Sequence, residues 1–177
     1  MKLATLKNGT RDGRLLVVSP CDSRAVPSTT RTTLQSALDD WANTEPALRA
    51  EANALATNER ADAFDLVFED LQSPLPRAYA WIDGSAYINH IVLVRKARGA
   101  EPPATLETDP LVYQGGSDTF IGPRDDIPVA DLSWGADFES EIAVITDDVP
   151  QGTTAADANK HIKLMMLCND VSLRNLI

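Results

Sequence analysis

The sequence has little cysteine and no long apolar run. Its two cysteines, Cys21 and Cys168, lie too far apart for a metal-binding or redox spacing, so we expect both to be reduced, small core residues. No apolar segment approaches the roughly 20 residues of a membrane-spanning helix. The N-terminal segment MKLATLKNGT also lacks the apolar stretch of a signal peptide. We therefore expect a cytoplasmic protein with no membrane partner.

Basic residues are also in short supply. The chain of 177 residues carries 16 Lys and Arg against 26 Asp and Glu, which gives a net charge of −10. Because such a surface repels phosphate backbones, the composition argues against a nucleic-acid partner. The acidic excess fits either a solubilising surface or a protein with carboxylate metal ligands.

Turn signals and helical spacing describe the N-terminal part of the chain. Two apolar segments, residues 2–6 and 14–19, flank Asn-Gly and Asp-Gly turns, so they predict a β-hairpin. Apolar residues at helical spacing then predict one helix that Thr33 caps and that runs to Asn43. A second helix is predicted from the proline at position 46 to about Ala56. These patterns indicate packing and carry no catalytic signal.

A change of composition follows Pro74 and Pro76, two prolines that impose an extended connector. We predict an α+β protein with a small N-terminal α/β domain, residues 1–74, followed by the first part of a mostly β domain, residues 75–177. The strands predicted in the second part are 88–95, 110–113, 127–130 and 138–146. Residues 153–167 are predicted to be helical.

The segment Glu139-Ser140-Glu141 offers the clearest chemistry. Because alternate side chains of a strand share a face, both glutamates point the same way, roughly 7 Å apart at the backbone. They lead into an apolar strand, where two unpaired carboxylates would repel each other and resist burial. A divalent cation would resolve that conflict. The alternative is a solvated strand end with two exposed acids.

Two further residues are candidates for the same chemistry. Asp170 follows an apolar stretch and could supply a third oxygen ligand, or it could cap a turn. His90 is one of two histidines in the chain and begins a predicted strand, where it could be a catalytic base or a structural residue. The other histidine, His161, lies on the predicted helix and is interpreted as a surface or packing residue.

Taken in order, these segments resemble the fumarylacetoacetate hydrolase family. That family binds a divalent cation through a Glu-x-Glu pair and through the Asp of an Asn-Asp-x-Ser-x-Arg motif, which match Glu139–Glu141 and Asn169–Arg174 here. The segments 113–116 and 121–125 resemble the loop that precedes the metal-binding strand. The resemblance covers residues 75–177 and implies a fumarylacetoacetase-like catalytic domain.

The resemblance also implies a role for each candidate. Asp83 matches a fourth metal ligand, and His90, seven positions later, matches the catalytic histidine. Tyr113 matches a substrate-binding tyrosine. The implied metal ligands are Asp83, Glu139, Glu141 and Asp170. Smaller family members place a Glu three residues after the histidine, where this chain has Leu93.

The chemistry that the resemblance implies is hydrolytic carbon–carbon cleavage of a fumarylacetoacetate-like or acylpyruvate-like dioxo acid, as in aromatic catabolism. Oxygen ligands favour Mg²⁺ or Ca²⁺, with Mn²⁺ as a further candidate. The metal would stabilise an enolate, while His90 would activate water. A homodimer is also implied.

Several alternatives stay open. Related family members act as hydratases, isomerases or decarboxylases on 2-oxo acids. A truncated, non-catalytic metal-binding or oligomerising module and a β-rich sugar- or peptide-binding domain are the rival classes. Because a substrate-binding Lys and a Gly-Thr segment of the family would lie beyond Ile177, we expect a fragment that is inactive by itself.

Overall fold

The computed structural model describes residues 1–116 and 118–177 and has the mixed α+β composition that the sequence predicts. The strands are β1 (Lys2–Leu6), β2 (Arg14–Val18), β3 (Arg24–Pro27), β4 (Phe64–Asp65), β5 (Leu71–Gln72), β6 (Ile82–Ser85), β7 (Leu111–Gln114), β8 (Ala136–Asp137), β9 (Ser140–Thr146), β10 (Ile162–Asn169) and β11 (Ser172–Leu173). The α-helices are α1 (Leu34–Leu38), α2 (Trp41–Ala56), α3 (Ile88–Ala97) and α4 (Ala155–Ala158). Short 3-10 helices span Phe68–Asp70, Leu132–Trp134, Asn159–His161 and Arg174–Leu176.

The chain forms two compact units. One contains Met1–Leu75 together with Ile121–Ile177, and the other contains Pro76–Phe120. The division into domains 1–74 and 75–177 stays a prediction. None of the helices in the described part of the chain is long and apolar enough to cross a membrane.

An antiparallel sheet with the order β4-β3-β2-β1-β5 organises the first unit. The predicted N-terminal hairpin is confirmed, because β1 pairs with β2 from Lys2↔Val18 to Leu6↔Arg14. Gly13 allows this turn to close: its φ is +63°, and a Cβ there would lie 2.2 Å from Gln72 Oε1. Only glycine accepts both conditions without strain.

The helices α1 and α2 cover one face of this sheet. Thr33 caps α1 as predicted, since its hydroxyl accepts a hydrogen bond from the Ser36 amide at 3.1 Å. The predicted end of this helix at Asn43 is wrong: α1 stops at Leu38, and α2 begins at Trp41. Pro46 consequently lies inside α2. The buried core beneath the helices is formed by Leu15, Val17, Val26, Leu34, Ala37, Leu38, Trp41, Leu48 and Leu55.

Strands β9 and β10 form an antiparallel pair that packs against the same core through Ile145 and Leu164. The prediction of a helix over residues 153–167 is wrong beyond residue 161, where β10 begins. Both faces of β10 carry apolar side chains, which removes the alternation that identifies a half-buried strand. The outward face of the pair exposes Ile142, Val144, Met165 and Leu167.

The second unit contains an antiparallel pair of strands, β6 and β7, and the connection between them contains the helix α3. The predicted strand at 110–113 is confirmed as β7, but the predicted strand at 88–95 is wrong, because those residues lie in α3. Its isoleucines and valines suggested a strand. The segment nevertheless carries a helix ending, with Arg95 and Lys96 in the last turn and Gly99 at a φ of +66°.

Two further expectations are wrong. Residues 127–130 form no strand, and Cys21 is exposed rather than a core residue. Cys21 lies in a turn where hydrogen bonds from Ser23 and Ser19 lower the pKa of its thiol to about 7. Neither cysteine forms a disulfide bond.

Candidate active site

The two motifs singled out in the sequence meet at one end of the β9–β10 pair. The amide of Asp170 donates a hydrogen bond to the carbonyl oxygen of Glu139 at 2.9 Å. In return, the Glu139 amide donates to Oδ1 of Asn169 at 3.1 Å. The backbones of Glu139 and Asp170 are therefore direct neighbours across the ladder, although they are far apart in the sequence.

Glu141 lies on the same side of this pair. It sits in β9 directly opposite Cys168 of β10, and directly opposite residues of antiparallel strands share a face. Glu139, Glu141 and Asp170 are all partly buried, whereas Ile142, which points the other way, is exposed. The three carboxylates thus start from one end and one face of the pair, which is the face that contacts the core.

A network of polar contacts surrounds Glu139. The guanidinium of Arg174 donates to Oε1 of Glu139, and its Nε donates to Oδ2 of Asp137 at 2.9 Å. The hydroxyl of Ser172 donates to the same Glu139 oxygen at 3.2 Å. The hydrogen bond from Arg174 lowers the pKa of Asp137 below its usual range.

The chemistry of this end of the sheet suits a hard divalent cation, since Glu139, Glu141 and Asp170 offer only oxygen donors. In residues 1–116 and 118–177, however, no three His, Cys, Asp or Glu side chains are arranged around one point to hold an ion. The backbone places Glu139, Glu141 and Asp170 at one end and on one face of the β9–β10 pair, and the convergence of these side chains on one ion stays a prediction.

The other candidates lie in the second compact unit. Asp83 of β6 pairs directly with Tyr113 of β7, so the predicted ligand and the predicted substrate contact are neighbours on one antiparallel strand pair. The ring of Trp81 packs edge-on against Tyr113, with centroids 5.9 Å apart. Trp81 also covers Gly115, whose Cβ, if present, would lie 1.8 Å from the indole ring.

His90 lies near the N-terminal end of α3, where its amide donates to the carbonyl oxygen of Tyr87 at 3.0 Å. Asp83 and His90 belong to the unit 76–120, whereas the glutamates belong to the other unit. The convergence of Asp83 and His90 on the glutamates therefore stays a prediction.

Sequence reasoning gave no role to three residues that the structure places beside the candidates. Asp137 stands two positions before Glu139, and Trp81 stands two positions before Asp83. Residues two positions apart in an extended chain point to the same side, as Glu139 and Glu141 do, so this spacing could have identified Asp137 and Trp81. Arg174 closes the second motif, but its contact with Glu139 depends on the pairing of β11 with β8, which the sequence does not indicate.

Comparison with known proteins identifies the family. A search of curated proteins finds no match. The model described as "Fumarylacetoacetase N-terminal domain 2" matches residues 1–77. The model described as "Fumarylacetoacetate (FAA) hydrolase C-terminal" matches residues 80–177, and this second match covers more than half of the chain and includes all of the candidate residues. The chain belongs to the fumarylacetoacetate hydrolase family.

Proposed function

We propose that this protein is a divalent-metal-dependent hydrolase that cleaves a carbon–carbon bond in a fumarylacetoacetate-like or acylpyruvate-like dioxo acid. Membership of the family supports an enzyme of this superfamily. The observation that carries the proposal is the direct backbone pairing of Glu139 with Asp170, with Glu141 on the same face.

The proposed ligands of the cation are Glu139, Glu141 and Asp170, completed by Asp83. Four carboxylates brought together at one cation would need its positive charge, because like charges at short range otherwise force protonation. Mg²⁺ or Ca²⁺ suits this set best, and Mn²⁺ accepts the same donors. A divalent cation held by these residues would supply Lewis acidity toward a dioxo acid.

His90 is the proposed general base. It takes a proton from a water molecule, whose oxygen then bonds to the carbonyl carbon of the substrate. The bond between that carbon and the adjacent carbon breaks, and the adjacent carbon receives a proton. An acylpyruvate and water thus give a carboxylic acid and pyruvate. Tyr113, supported by the edge-on ring of Trp81, is the proposed contact for the organic part of the substrate.

We further propose that the protein is a cytoplasmic homodimer. The outward face of the β9–β10 pair supports self-association, because Ile142, Val144, Met165 and Leu167 form an exposed apolar surface.

The test is turnover of an acylpyruvate by the product of the whole gene in the presence of Mg²⁺, with products identified by NMR. We expect pyruvate and a carboxylic acid in equal amounts, loss of turnover with EDTA, and recovery on adding Mg²⁺. Glu141→Gln should lose activity, whereas Glu45→Gln on the exposed side of α2 should keep it. Turnover that EDTA leaves unchanged would refute the metal-dependent mechanism. A hydrated or decarboxylated product would instead assign one of the alternative reactions of the family.

A further inference from the structure

Arg174 and Ser172 hold the Glu139 carboxylate from the side of β11. Both donate to Oε1 of Glu139, and Arg174 also bonds Asp137 through Nε. We propose that Arg174 and Ser172 are positioning residues that fix Glu139 in the orientation in which it binds the divalent cation. This inference rests on the proposed function, because it concerns the same metal site.

Main-chain contacts hold the segment that carries Ser172 and Arg174 in place. Ser172 pairs with Asp137 in the short β11–β8 ladder. The Arg174 amide donates to the Gly135 carbonyl oxygen at 3.0 Å, and Nδ2 of Asn175 donates to the Ser133 carbonyl oxygen at 2.8 Å. The donors to Glu139 are therefore in position independently of any ligand.

The ion pair is also better shielded than a surface pair. The side chain of Glu139 is 11% exposed and that of Arg174 is 29% exposed. For comparison, Arg49 and Glu45 on α2 form an ion pair with exposures of 58% and 32%. Solvent screening reduces the strength of exposed pairs, so the Arg174–Glu139 contact constrains its partner more strongly.

The shape of the Arg174 side chain is important for this role. The planar guanidinium presents donors in a fixed fork, which lets Arg174 bond Glu139 and Asp137 together. A lysine would keep the positive charge but has a single, compact ammonium. Substitution of Arg174 by lysine consequently loosens Glu139 but keeps the net charge around the metal ion. An effect of this substitution on metal binding would therefore come from the orientation of Glu139 and not from a change in electrostatic repulsion.

The experiment is a calorimetric titration of the metal-free protein with Mn²⁺. Loss of a group that orients a metal ligand typically weakens metal binding about 10- to 100-fold, and we expect Arg174→Lys to do so. Ser172→Ala, which changes no charge, should also weaken binding, by a smaller factor. The matched control Arg49→Lys makes the same substitution in the exposed pair and should leave the affinity unchanged.

A purely structural role is tested by Asn175→Ala, which loosens the same segment but removes no bond to Glu139. This variant should melt at a lower temperature yet bind Mn²⁺ like the unmodified protein. If Asn175→Ala weakens binding as much as Arg174→Lys, or if Arg174→Lys binds as tightly as the unmodified protein, the positioning role is refuted. If the unmodified protein binds no Mn²⁺, the proposed metal site fails and the positioning role fails with it.

Discussion

A buried carboxylate in the N-terminal part offers the most quantitative prediction. Glu51 of α2 is only 9% exposed, and its Oε1 accepts hydrogen bonds from the loop that follows β3. The amides of Thr29 and Thr30 donate at 3.0 Å, and their hydroxyls donate at 2.9 and 2.7 Å. Ser28 adds a longer contact at 3.4 Å. Oε1 of Glu51 is thus the common acceptor for the hydrogen bonds of the loop at residues 28–30.

The substitution Glu51→Gln tests the charge of this carboxylate at nearly constant shape. A hydrogen bond to a charged group contributes about 1.5–3 kcal/mol, against about 0.5–1.5 kcal/mol for a neutral pair. The glutamine amide would also bury its NH₂ where Oε2 has no partner among the described residues. Because the four short bonds share one acceptor and do not add fully, we expect a loss of about 2–4 kcal/mol in the free energy of unfolding.

Protonation should mimic the substitution. Burial raises the pKa of Glu51, but hydrogen bonds from Thr30, Thr29 and Ser28 outweigh it and hold the pKa below its usual value. A carboxyl whose pKa is depressed by folding contributes stability above its unfolded pKa of roughly 4.3, and that contribution is lost as the pH falls through the folded pKa. The difference in the free energy of unfolding between the unmodified protein and Glu51→Gln should therefore become smaller as the pH falls.

The assay is urea unfolding at pH 7 and at lower pH values, followed by circular dichroism. Glu45→Gln is the matched control, because it makes the same change on the same helix in an exposed pair with Arg49 and should cost about 0.3–0.5 kcal/mol. If Glu51→Gln costs no more than Glu45→Gln, or if its cost is independent of pH, the charge of Glu51 does not support the turn.

Three further predictions address the site and the assembly. His90→Gln should lower hydrolysis by about 10²- to 10⁴-fold, since a general base is lost, while Mn²⁺ affinity measured by calorimetry stays within about twofold; a large loss of affinity would make His90 a ligand. Gly115→Ala should cost about 1–3 kcal/mol in thermal unfolding and alter the near-ultraviolet circular dichroism, because its Cβ would overlap Trp81; an unchanged melting temperature and spectrum would contradict the packing. Leu167→Glu should convert a dimer to a monomer in light scattering, and a dimer that persists would place the interface elsewhere.

The sequence predicted the parts of the fold in which local signals agree. The turn residues between β1 and β2 and the cap at Thr33 both identified elements that the structure contains. Local signals failed where the environment decides the structure. Side chains in β10 are apolar on both faces, and the β-branched residues of α3 are accepted in a helix at a small cost in propensity.

The sequence predicted the residue types of the candidate site and their spacing, but it did not predict where these residues lie in the fold. Glu139 meets Asn169, 30 positions away, because β9 and β10 form an antiparallel pair, which Ile145 and Leu164 pack against the core. Arg174 reaches Glu139 through a separate two-residue ladder that no local pattern indicates. Contacts of this kind depend on tertiary packing, which overrides local preference.

The most direct test of the central claim is a crystal structure of the protein grown with Mn²⁺, with data collected at the manganese absorption edge. The account predicts one anomalous peak bounded by carboxylate oxygens of Glu139, Glu141 and Asp170, with metal–oxygen distances of about 2.0–2.6 Å. A peak elsewhere, or no peak at these three residues in protein saturated with Mn²⁺, would contradict it.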